Sequence, residues 1–268
     1  MSLTLTTTEQ GPGWPRWRRA LYYHAAFYRQ TWRASVISAF LFPILYLTSM
    51  GLGVGKLVNA HTGTVAGLSY LQFIAPALLA VAAMQLGENE AMWPVLGAVK
   101  WVRTYHAAVA TPLEPEDVVT GKVAWVGIRL FMTGVVYAAI IAVFGAVVSW
   151  WGILLPLVAV LTGLAFVTPL MAYSLTLESD TSFTMIYRFL IVPMFLFSAT
   201  FYPVSVYPPQ LRWIVELMPL YHGVALARAS AYGTGQLLAI VFHVVVLGSL
   251  VVVGLVLSRR NMRRRLVS

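Results

Sequence analysis

The chain has 268 residues, of which 59% are hydrophobic and only 10% are charged, and its mean hydropathy is +0.78. A soluble protein needs more charged side chains than this to cover its surface. The composition therefore excludes an ordinary soluble domain and indicates a membrane protein. The formal net charge is +9. In a membrane protein such an excess must first be assigned to one side of the bilayer before nucleic acid is considered. The absence of cysteine excludes disulfides and thiolate metal sites.

Residues 1–33 are predicted to form a cytoplasmic tail that ends in an amphipathic helix. Residues 14–33 mix arginine with aromatic side chains, and apolar and aromatic residues recur on one helical face from Leu21 to Trp32. Such a helix would rest in the plane of the lipid headgroups. A simple aromatic belt beside the first span is the alternative, but a belt needs far fewer than twenty residues.

Residues 34–257 are predicted to form an all-α membrane domain with six transmembrane helices. A helix needs about 20 mostly apolar residues to cross the bilayer core. Six mostly apolar stretches satisfy this length, near 34–55, 69–87, 123–148, 153–175, 183–201 and 236–257. The first carries Pro43 and a glycine-rich end, and the fifth is interrupted by Pro193, so its ends are open to a shift of several residues.

The distribution of lysine and arginine predicts the orientation of these spans. With the N-terminus inside, fourteen of the 18 cationic residues fall on the cytoplasmic side, three fall outside, and Arg129 lies within the third span. The positive-inside rule then places both termini in the cytoplasm of a multi-pass cell-membrane (inner or plasma membrane) protein. Residues 258–268 form a basic cytoplasmic tail. Its arginines are better explained by contact with lipid headgroups than by RNA, so no nucleic acid partner is expected.

The longest cytoplasmic connection, residues 88–122, is predicted to be a contact surface. It holds five of the nine acidic residues, and residues 96–110 are predicted to form a short helix before the Thr111–Pro115 segment stops it. The candidate contact residues are Glu88, Glu90, Lys100, Trp101, Arg103 and Tyr105. A solvated loop is the alternative, but the mixture of aromatic side chains with both charge signs is more typical of a protein interface.

Outside, residues 202–235 are too apolar for an ordinary loop and too rich in proline for a span. Pro208 and Pro209 can open a helix, and apolar residues then recur at helical spacing up to Met218. A second helix is expected from 220 to 231. The simplest structure is two short re-entrant helices before the last span, because backbone at membrane depth must be buried against protein. The residues that mark this region are Pro203, Pro208, Pro219, Tyr221 and His222.

No catalytic constellation is visible in the sequence. The two Gly-Lys pairs, Gly55-Lys56 and Gly121-Lys122, lack the upstream glycine and the hydroxyl of a phosphate-binding loop, so this chain is not expected to hydrolyse ATP itself. The five histidines lack paired metal-ligand spacing, and no metal site is predicted. His243 lies inside the sixth span and is a functional candidate for that reason. No carboxylate lies well within a span, which argues against a proton-coupled transporter or an intramembrane enzyme.

Three stretches of the chain resemble the type-2 ABC exporter permeases, in particular the branch that contains the nodulation-factor (lipo-oligosaccharide) and daunorubicin permeases. The most specific is residues 195–229, with a Tyr-Pro turn, a proline-initiated helix and a Met-Pro-Leu-Tyr-His corner. The second runs from Thr111 to Lys122. The third is Glu88 and Glu90 with the aromatic and basic residues that follow. Met218 stands where the family commonly has Asn, so no polar contact is expected there.

The resemblance implies a permease that pairs with a second copy or a paralogue and binds two copies of a separate cytoplasmic ABC ATPase. The segment 88–122 would supply the coupling contact. ATP and Mg would be bound by the partner ATPase, with no cofactor on this chain. The implied substrates are amphipathic: lipid-linked glycans, lipo-oligosaccharides, glycolipids or polyketide drugs. The sequence does not choose among them, and membrane lipids are further expected partners.

The resemblance also implies a substrate path at the permease–permease interface, with lateral access between the first and fifth spans. The residues expected along it are Phe40, Phe42, Tyr46, Arg129, Phe189, Phe195 and Phe197. Aromatic walls suit a lipid or a sugar ring, although ordinary helix packing is the alternative for any one of them. Arg129 and Arg188 could attract an anionic headgroup, or could reach lipid phosphate or pair with Glu178 and Asp180. The competing function for the whole chain is a membrane scaffold that moves no substrate.

Overall fold

The computed structural model describes residues 15–65 and 67–267, and these residues form an all-helical structure. The longer elements are α1 (Trp17–Leu47), α3 (Tyr70–Ala91), α6 (Pro115–Val143), α7 (Leu155–Ser174), α11 (Pro219–Tyr232) and α12 (Leu237–Val267). The shorter α-helices are α2 (Gly55–Thr62), α4 (Trp93–Lys100), α5 (Thr104–Val109), α8 (Thr181–Ile186), α9 (Val192–Phe197) and α10 (Pro209–Leu217). Two π-helical segments, Thr48–Val54 and Tyr187–Ile191, join α1 to α2 and α8 to α9.

Four helical stretches in the described part of the chain are long and apolar enough to cross a membrane. They are Tyr70–Lys100, Pro115–Val143, Trp150–Ser174 and Leu237–Leu266. These coincide with the second, third, fourth and sixth predicted spans. The first and fifth predicted spans fall on shorter apolar stretches, Pro43–Val58 and Thr181–Phe197. The all-α membrane fold is therefore confirmed, while the total of six spans stays a prediction.

The predicted surface helix and the beginning of the first span are joined in one helix. α1 runs without a break across residue 33, where the sequence analysis placed a boundary. No proline or glycine lies between Trp17 and Pro43, so nothing in the sequence ends the helix earlier. The regular α-helix ends at Leu47, four residues after Pro43, and a wide π-helical segment follows through the glycines.

The cytoplasmic segment predicted as one helix from 96 to 110 is divided into α4 and α5. The break lies at Arg103, which has a left-handed backbone conformation with φ of 55°. A non-glycine residue in that conformation cannot continue an α-helix. The N–H groups of Trp101 and Val102 both donate to the carbonyl of Gly97, which closes the end of α4. The result is a short exposed corner between two helices.

The two short helices predicted after the fifth span are confirmed as α10 and α11. Pro209 and Pro219 are the first residues of these helices, where a missing N–H costs nothing. α11 ends at Gly233, whose φ of 67° is the left-handed conformation that commonly terminates helices. Tyr232 donates a hydrogen bond to the carbonyl of Gln72, so the end of α11 is fixed against the beginning of α3.

α7 lies at the centre of the helical packing and contacts α3, α6, α11 and α12. A Cβ atom on Gly87 of α3 would lie 2.7 Å from the carbonyl oxygen of Gly163, so the α3 and α7 backbones approach closely. A Cβ atom added to Gly254 of α12 would lie 2.5 Å from the backbone nitrogen of Pro169 on α7. Small residues permit such backbone contacts between membrane helices, and here they bring α3 and α12 close to α7.

Candidate functional site

A cavity of about 580 Å³ lies between α1, α3, α6 and the α8–α9 segment. Its wall on α3 extends from Leu78 to Glu90, which corresponds to about 18 Å along a helix. The volume is in the usual range of small-molecule sites. Because the remaining helices pack closely around α7, this cavity is the main candidate for a functional site in the described residues.

One end of the cavity is ionic. The Nζ atom of Lys122 lies 2.5 Å from Oε2 of Glu90, and Arg129 binds the other carboxylate oxygen of Glu90. The side chain of Lys122 is only 6% exposed and that of Glu90 is 15% exposed. Arg129 also lies over the ring of Tyr28, with 5.4 Å between the guanidinium carbon and the ring centroid. This pairing replaces the Glu178 or Asp180 partner considered for Arg129 in the sequence analysis.

The remainder of the cavity is mainly apolar and aromatic, with Gln85, Asn89 and Thr133 as further polar residues in its lining. Its lining includes six aromatic side chains: Tyr28, Phe40, Tyr46, Tyr137, Tyr187 and Phe195. Leu78, Val81 and Pro43 complete the wall on α3 and α1. A molecule that fills this space would therefore place a polar group beside Glu90 and Arg129 and an apolar part along the aromatic residues. The arrangement of polar and apolar side chains in the cavity therefore suits an amphipathic ligand.

Four of the residues predicted for the substrate path line this cavity: Phe40, Tyr46, Arg129 and Phe195. Two do not. Phe189 is 80% exposed and Phe197 is 48% exposed, and both lie on the outer face of the α8–α9 segment. The side chain of Phe42 lies outside the described residues. The structure therefore divides the predicted path into a cavity wall and an exposed aromatic face.

The residues predicted for ATPase contact divide in a similar way. Glu88 is 2% exposed and Glu90 is held between two cations, so both lie in the cavity wall rather than on the surface of the loop. Lys100, Trp101 and Arg103 are exposed at the corner between α4 and α5. Trp101 is 58% exposed and the neighbouring Val102 is 71% exposed. This corner presents an apolar tip flanked by two cations.

Tyr105, the last predicted contact residue, is buried beneath that corner. It is 4% exposed, and burial raises the pKa of its phenol above the usual value. It lines a second cavity of about 280 Å³ with Tyr23 and His24 of α1. Burial, with Lys122 nearby, lowers the pKa of His24 to about 4, so His24 is neutral at physiological pH. Tyr105 therefore supports the corner from below and is unavailable to a partner surface.

Glu178 connects three segments, α4, the α7–α8 loop and α12, that sequence reasoning did not bring together. It binds Arg265 of α12, and its carboxylate lies 3.7 Å from Nζ of Lys100 at the end of α4. Its hydrogen bond with Arg265 holds the pKa of this carboxyl below the usual value. Lys100 also donates to the Glu178 backbone carbonyl. The predicted contact corner is thus attached to the α7–α8 loop and to the C-terminal helix.

The residues that marked the predicted re-entrant region have structural positions. Pro203 and Pro208 precede a short 3-10 turn and α10, and Pro219 opens α11. His222 is buried, and its Nδ1 lies 2.7 Å from Nδ1 of His243, so one ring must donate to the other. Tyr221 packs edge-to-face with His243 at 5.8 Å. His243, singled out within the sixth span, is thereby a packing partner of α11.

Two residues of this architecture were missed by the sequence analysis as functional or structural positions. Arg228 was counted only as an outside cation, but its guanidinium lies 3.7 Å above the ring of Phe73 and donates to the carbonyls of Phe73 and Thr200. Tyr137 lines the cavity from α6 and is 4% exposed. A lone tyrosine in an apolar span carries no sequence signal that separates a cavity wall from ordinary packing.

Comparison with known proteins identifies the family to which this chain is similar. Residues 20–232 match the ABC-2 type transporter family. Nodulation protein J of Rhizobium leguminosarum bv. viciae is 30% identical over 236 residues, which cover 87% of this chain and 88% of that protein. Nodulation protein J of Rhizobium meliloti (strain 1021) is 29% identical over 87% of both chains. The inner membrane transport permease YadH of Escherichia coli (strain K12) is 22% identical over 68% of this chain and 71% of its own length.

Proposed function

Because the chain belongs to the ABC-2 type transporter family, we propose that it is the permease subunit of an exporter for an amphipathic substrate. The substrate leaves the cytoplasm or the inner leaflet and belongs to the classes that the family resemblance implies: lipid-linked glycans, lipo-oligosaccharides, glycolipids or polyketide drugs. The observation that carries the proposal is the cavity, which is ionic at one end and aromatic along the rest. A scaffold protein has no need of such a space.

The energy for export comes from a separate ATPase subunit in this proposal. The sequence contains no phosphate-binding loop, so ATP-driven motion must reach the chain through a protein contact. The exposed corner at Trp101 and Val102 supports such a contact, because large apolar side chains at an exposed tip are typical anchors of an interface. Its connection through Lys100 and Glu178 to α12 gives that contact a route to the C-terminal helix.

The ATPase contact is tested by copurification of the permease with its cognate ATPase from membranes. Loss of a buried aromatic anchor costs about 2 kcal/mol or more, which is roughly a 30-fold loss of affinity. We therefore expect Trp101→Ala and Arg103→Glu to reduce the amount of ATPase recovered with the permease, or to uncouple hydrolysis from export.

Trp213→Ala is the matched control for this experiment. Trp213 is 62% exposed on α10, on the side of the protein that is predicted to face outward. ATPase recovery should be unchanged in this variant. Equal recovery and equal transport in Trp101→Ala, Arg103→Glu and the control would remove the corner from the coupling mechanism.

A second permease copy, or a paralogue, completes the exporter in this proposal. The outward faces of α1 and of the α8–α9 segment expose large aromatic and aliphatic side chains: Phe40, Leu41, Leu45, Phe189, Leu190 and Phe197. These faces flank the cavity, and such exposed apolar surface suits contact with protein or lipid. Pairing across them would enclose the cavity between two permeases, as the family resemblance implies.

We place both chain ends on the cytoplasmic side of the cell membrane. Several ion pairs support this topology, because each joins segments that the positive-inside rule assigns to the same side. They are Arg16–Glu114, Lys100–Glu178, Arg263–Glu116 and Arg265–Glu178. At the opposite end, Val148 and Ser149 donate to the carbonyl of Ala231, and all three residues belong to segments predicted to lie outside.

Cysteine labelling in intact cells tests this topology, since the chain has no natural cysteine. A cysteine at exposed Ser205, between α9 and α10, should react with a membrane-impermeant thiol reagent. A cysteine at exposed Ser179, between α7 and α8, should react only after the cells are opened. The reverse pattern would invert the proposed orientation.

A further inference from the structure

The side chain of Glu88 is buried in the cavity wall, and one of its two carboxyl oxygens has no hydrogen-bond partner in the described residues. Glu88 is 2% exposed, and the unpaired atom within the described part of the chain is Oε2. A buried acceptor that is left unpaired costs free energy, so an unpaired buried carboxylate calls for a physical explanation. The exposed-loop role expected from the sequence does not supply one, because Glu88 is inaccessible to a docking protein.

The two cations at the ionic end of the cavity are already paired with Glu90. Lys122 and Arg129 both bind Glu90, and Arg129 also lies against the ring of Tyr28. Only Asn89 separates Glu88 from Glu90 on α3, yet Lys122 and Arg129 both bind Glu90. In the described residues, no hydrogen-bond donor reaches Oε2 of Glu88.

The charges that line the cavity also exclude one class of ligand. Two carboxyl side chains, Glu88 and Glu90, line the cavity with one cation, Arg129, and Lys122 binds Glu90 from outside the lining, so the ionic end carries no excess of positive charge. An anionic headgroup placed there would lie beside the acidic side chains of Glu88 and Glu90 with no unpaired cation to bind it, and an anion without a partner is strongly unfavourable in a poorly solvated site. The anionic headgroup considered for Arg129 in the sequence analysis does not fit this arrangement.

The aromatic part of the cavity defines the rest of the ligand. Tyr46, Tyr137 and Phe195 lie along the wall beyond the ionic end, together with Leu78 and Val81. This surface suits an alkyl chain or the apolar face of a ring, which can contact aromatic side chains without a fixed charge.

We propose that Glu88 determines substrate specificity: it accepts a hydrogen bond from a hydroxyl or ammonium group on an amphiphile whose headgroup carries no net negative charge. The proposal rests on the exporter function and deepens it, since it assigns the chemistry of the headgroup. The ligand places its donor beside Oε2 of Glu88 and its apolar part along the aromatic wall. Glu90, with its two cations, forms the end of the site.

Equilibrium binding to the purified permease in phosphatidylcholine nanodiscs, without any ATPase, tests this proposal. The probe is tritiated dodecyl glucoside, and the competitors are dodecylamine and dodecyl phosphate, which share its chain length. We expect the amine to compete within a few-fold of unlabelled glucoside, and the phosphate to compete at least tenfold more weakly. The three headgroups distinguish a neutral donor, a cationic donor and an anion.

Two substitutions of Glu88 then identify the acceptor. Glu88→Ala should weaken both glucoside and amine binding at least tenfold. Glu88→Gln keeps a carbonyl acceptor without the charge, so it should retain most glucoside binding and lose amine binding. Glu114→Ala removes an exposed carboxylate outside the cavity and should leave all three affinities unchanged. If Glu88→Ala does not fold, the near-isosteric Glu88→Gln and the competitor series on the wild-type protein decide the outcome.

Three results would overturn the inference. They are tighter binding of the phosphate than of the glucoside, unchanged binding in both Glu88 variants, and no saturable binding of any probe to the wild-type protein. None of these affects the exporter function, which is tested separately by association with the ATPase. Conversely, donor-selective binding that depends on Glu88 would stand even if no ATPase were recovered with the chain.

Discussion

The two sides of α3 differ in how they are packed. On one side, α3 meets α7 through the close approach of Gly87 to Gly163, and α7 meets α12 at Gly254. On the other side, α3 faces α1, α6 and the α8–α9 segment across a cavity of about 580 Å³. Both π-helical segments, Thr48–Val54 and Tyr187–Ile191, belong to the elements on the cavity side.

This difference indicates a division of labour within the fold. Close backbone contacts are expected to hold α3, α7 and α12 together as a rigid unit, because closely packed backbones allow little adjustment. The cavity side is joined to that unit by side chains and contains irregular helical turns, which often occur at functional sites. Substrate binding is therefore expected where the packing is open, and mechanical support where it is closed.

The ionic attachment at Glu90 is expected to have the largest effect on stability. Glu90→Ala would leave Lys122 and Arg129 without their shared partner in a mostly buried position. Breaking a buried ion pair by removal of one member typically costs about 3–5 kcal/mol. The free energy of unfolding in detergent micelles, measured by titration with dodecyl sulfate, should fall by that amount.

The exposed ion pair between Arg16 and Glu114 provides the control. Its N–O distance is 2.6 Å, but its side chains are 57% and 63% exposed. Exposed pairs of this kind contribute only about 0–1 kcal/mol. Glu114→Ala should therefore have little effect, and equal losses in the two variants would show that burial of Glu90 does not govern the attachment.

The closed side of the comparison is tested on α12. A methyl group added at Gly254 would lie 2.5 Å from the backbone nitrogen of Pro169, and the backbone cannot move away as a flexible side chain would. We expect Gly254→Ala to lower the free energy of unfolding by about 1–3 kcal/mol, the usual cost of overpacking.

Gly248 lies on the same helix, and a Cβ atom there would have no neighbour within 4 Å. Gly248→Ala should be neutral, or stabilising by up to about 1 kcal/mol, because alanine favours helix more than glycine does. If both alanine variants behaved alike, the close contact of α12 with α7 would not be a determinant of stability.

The elements that the sequence predicted well are those with local causes. Pro209 and Pro219 begin helices because proline suits the first helical position, and the apolar stretches from 123 and from 236 lie in α6 and α12. No local signal ends α1 at residue 33, so this helix continues across the boundary that was predicted there. Arg103 breaks the predicted cytoplasmic helix because it has a left-handed conformation, which cannot be predicted from an arginine in the sequence.

The site residues depended on contacts between distant segments, and these the sequence did not determine. Phe40, Tyr46, Arg129 and Phe195 were proposed together through a family resemblance, and the structure places them around one cavity. Glu88 and Glu90 were expected on an exposed loop because they follow an apolar run. Glu90 is buried together with its partners Lys122 and Arg129, 32 and 39 residues further along the chain, which only the packing of α6 against α3 brings near.

The most direct test of the cavity as the export path is ATP-dependent translocation in proteoliposomes that contain the permease and its ATPase. The transported probe is a fluorescent alkyl glucoside, and its arrival in the opposite leaflet is measured by chemical quenching. Tyr46→Ala, Phe195→Ala and Arg129→Ala each remove a cavity-lining side chain, whereas Val252→Ala alters a residue of α12 that is 61% exposed and does not line the cavity. We predict at least a tenfold loss of translocation in the three cavity variants and none in Val252→Ala. Translocation at the wild-type rate in all four variants, with the complex intact, would contradict the assignment of this cavity to the substrate.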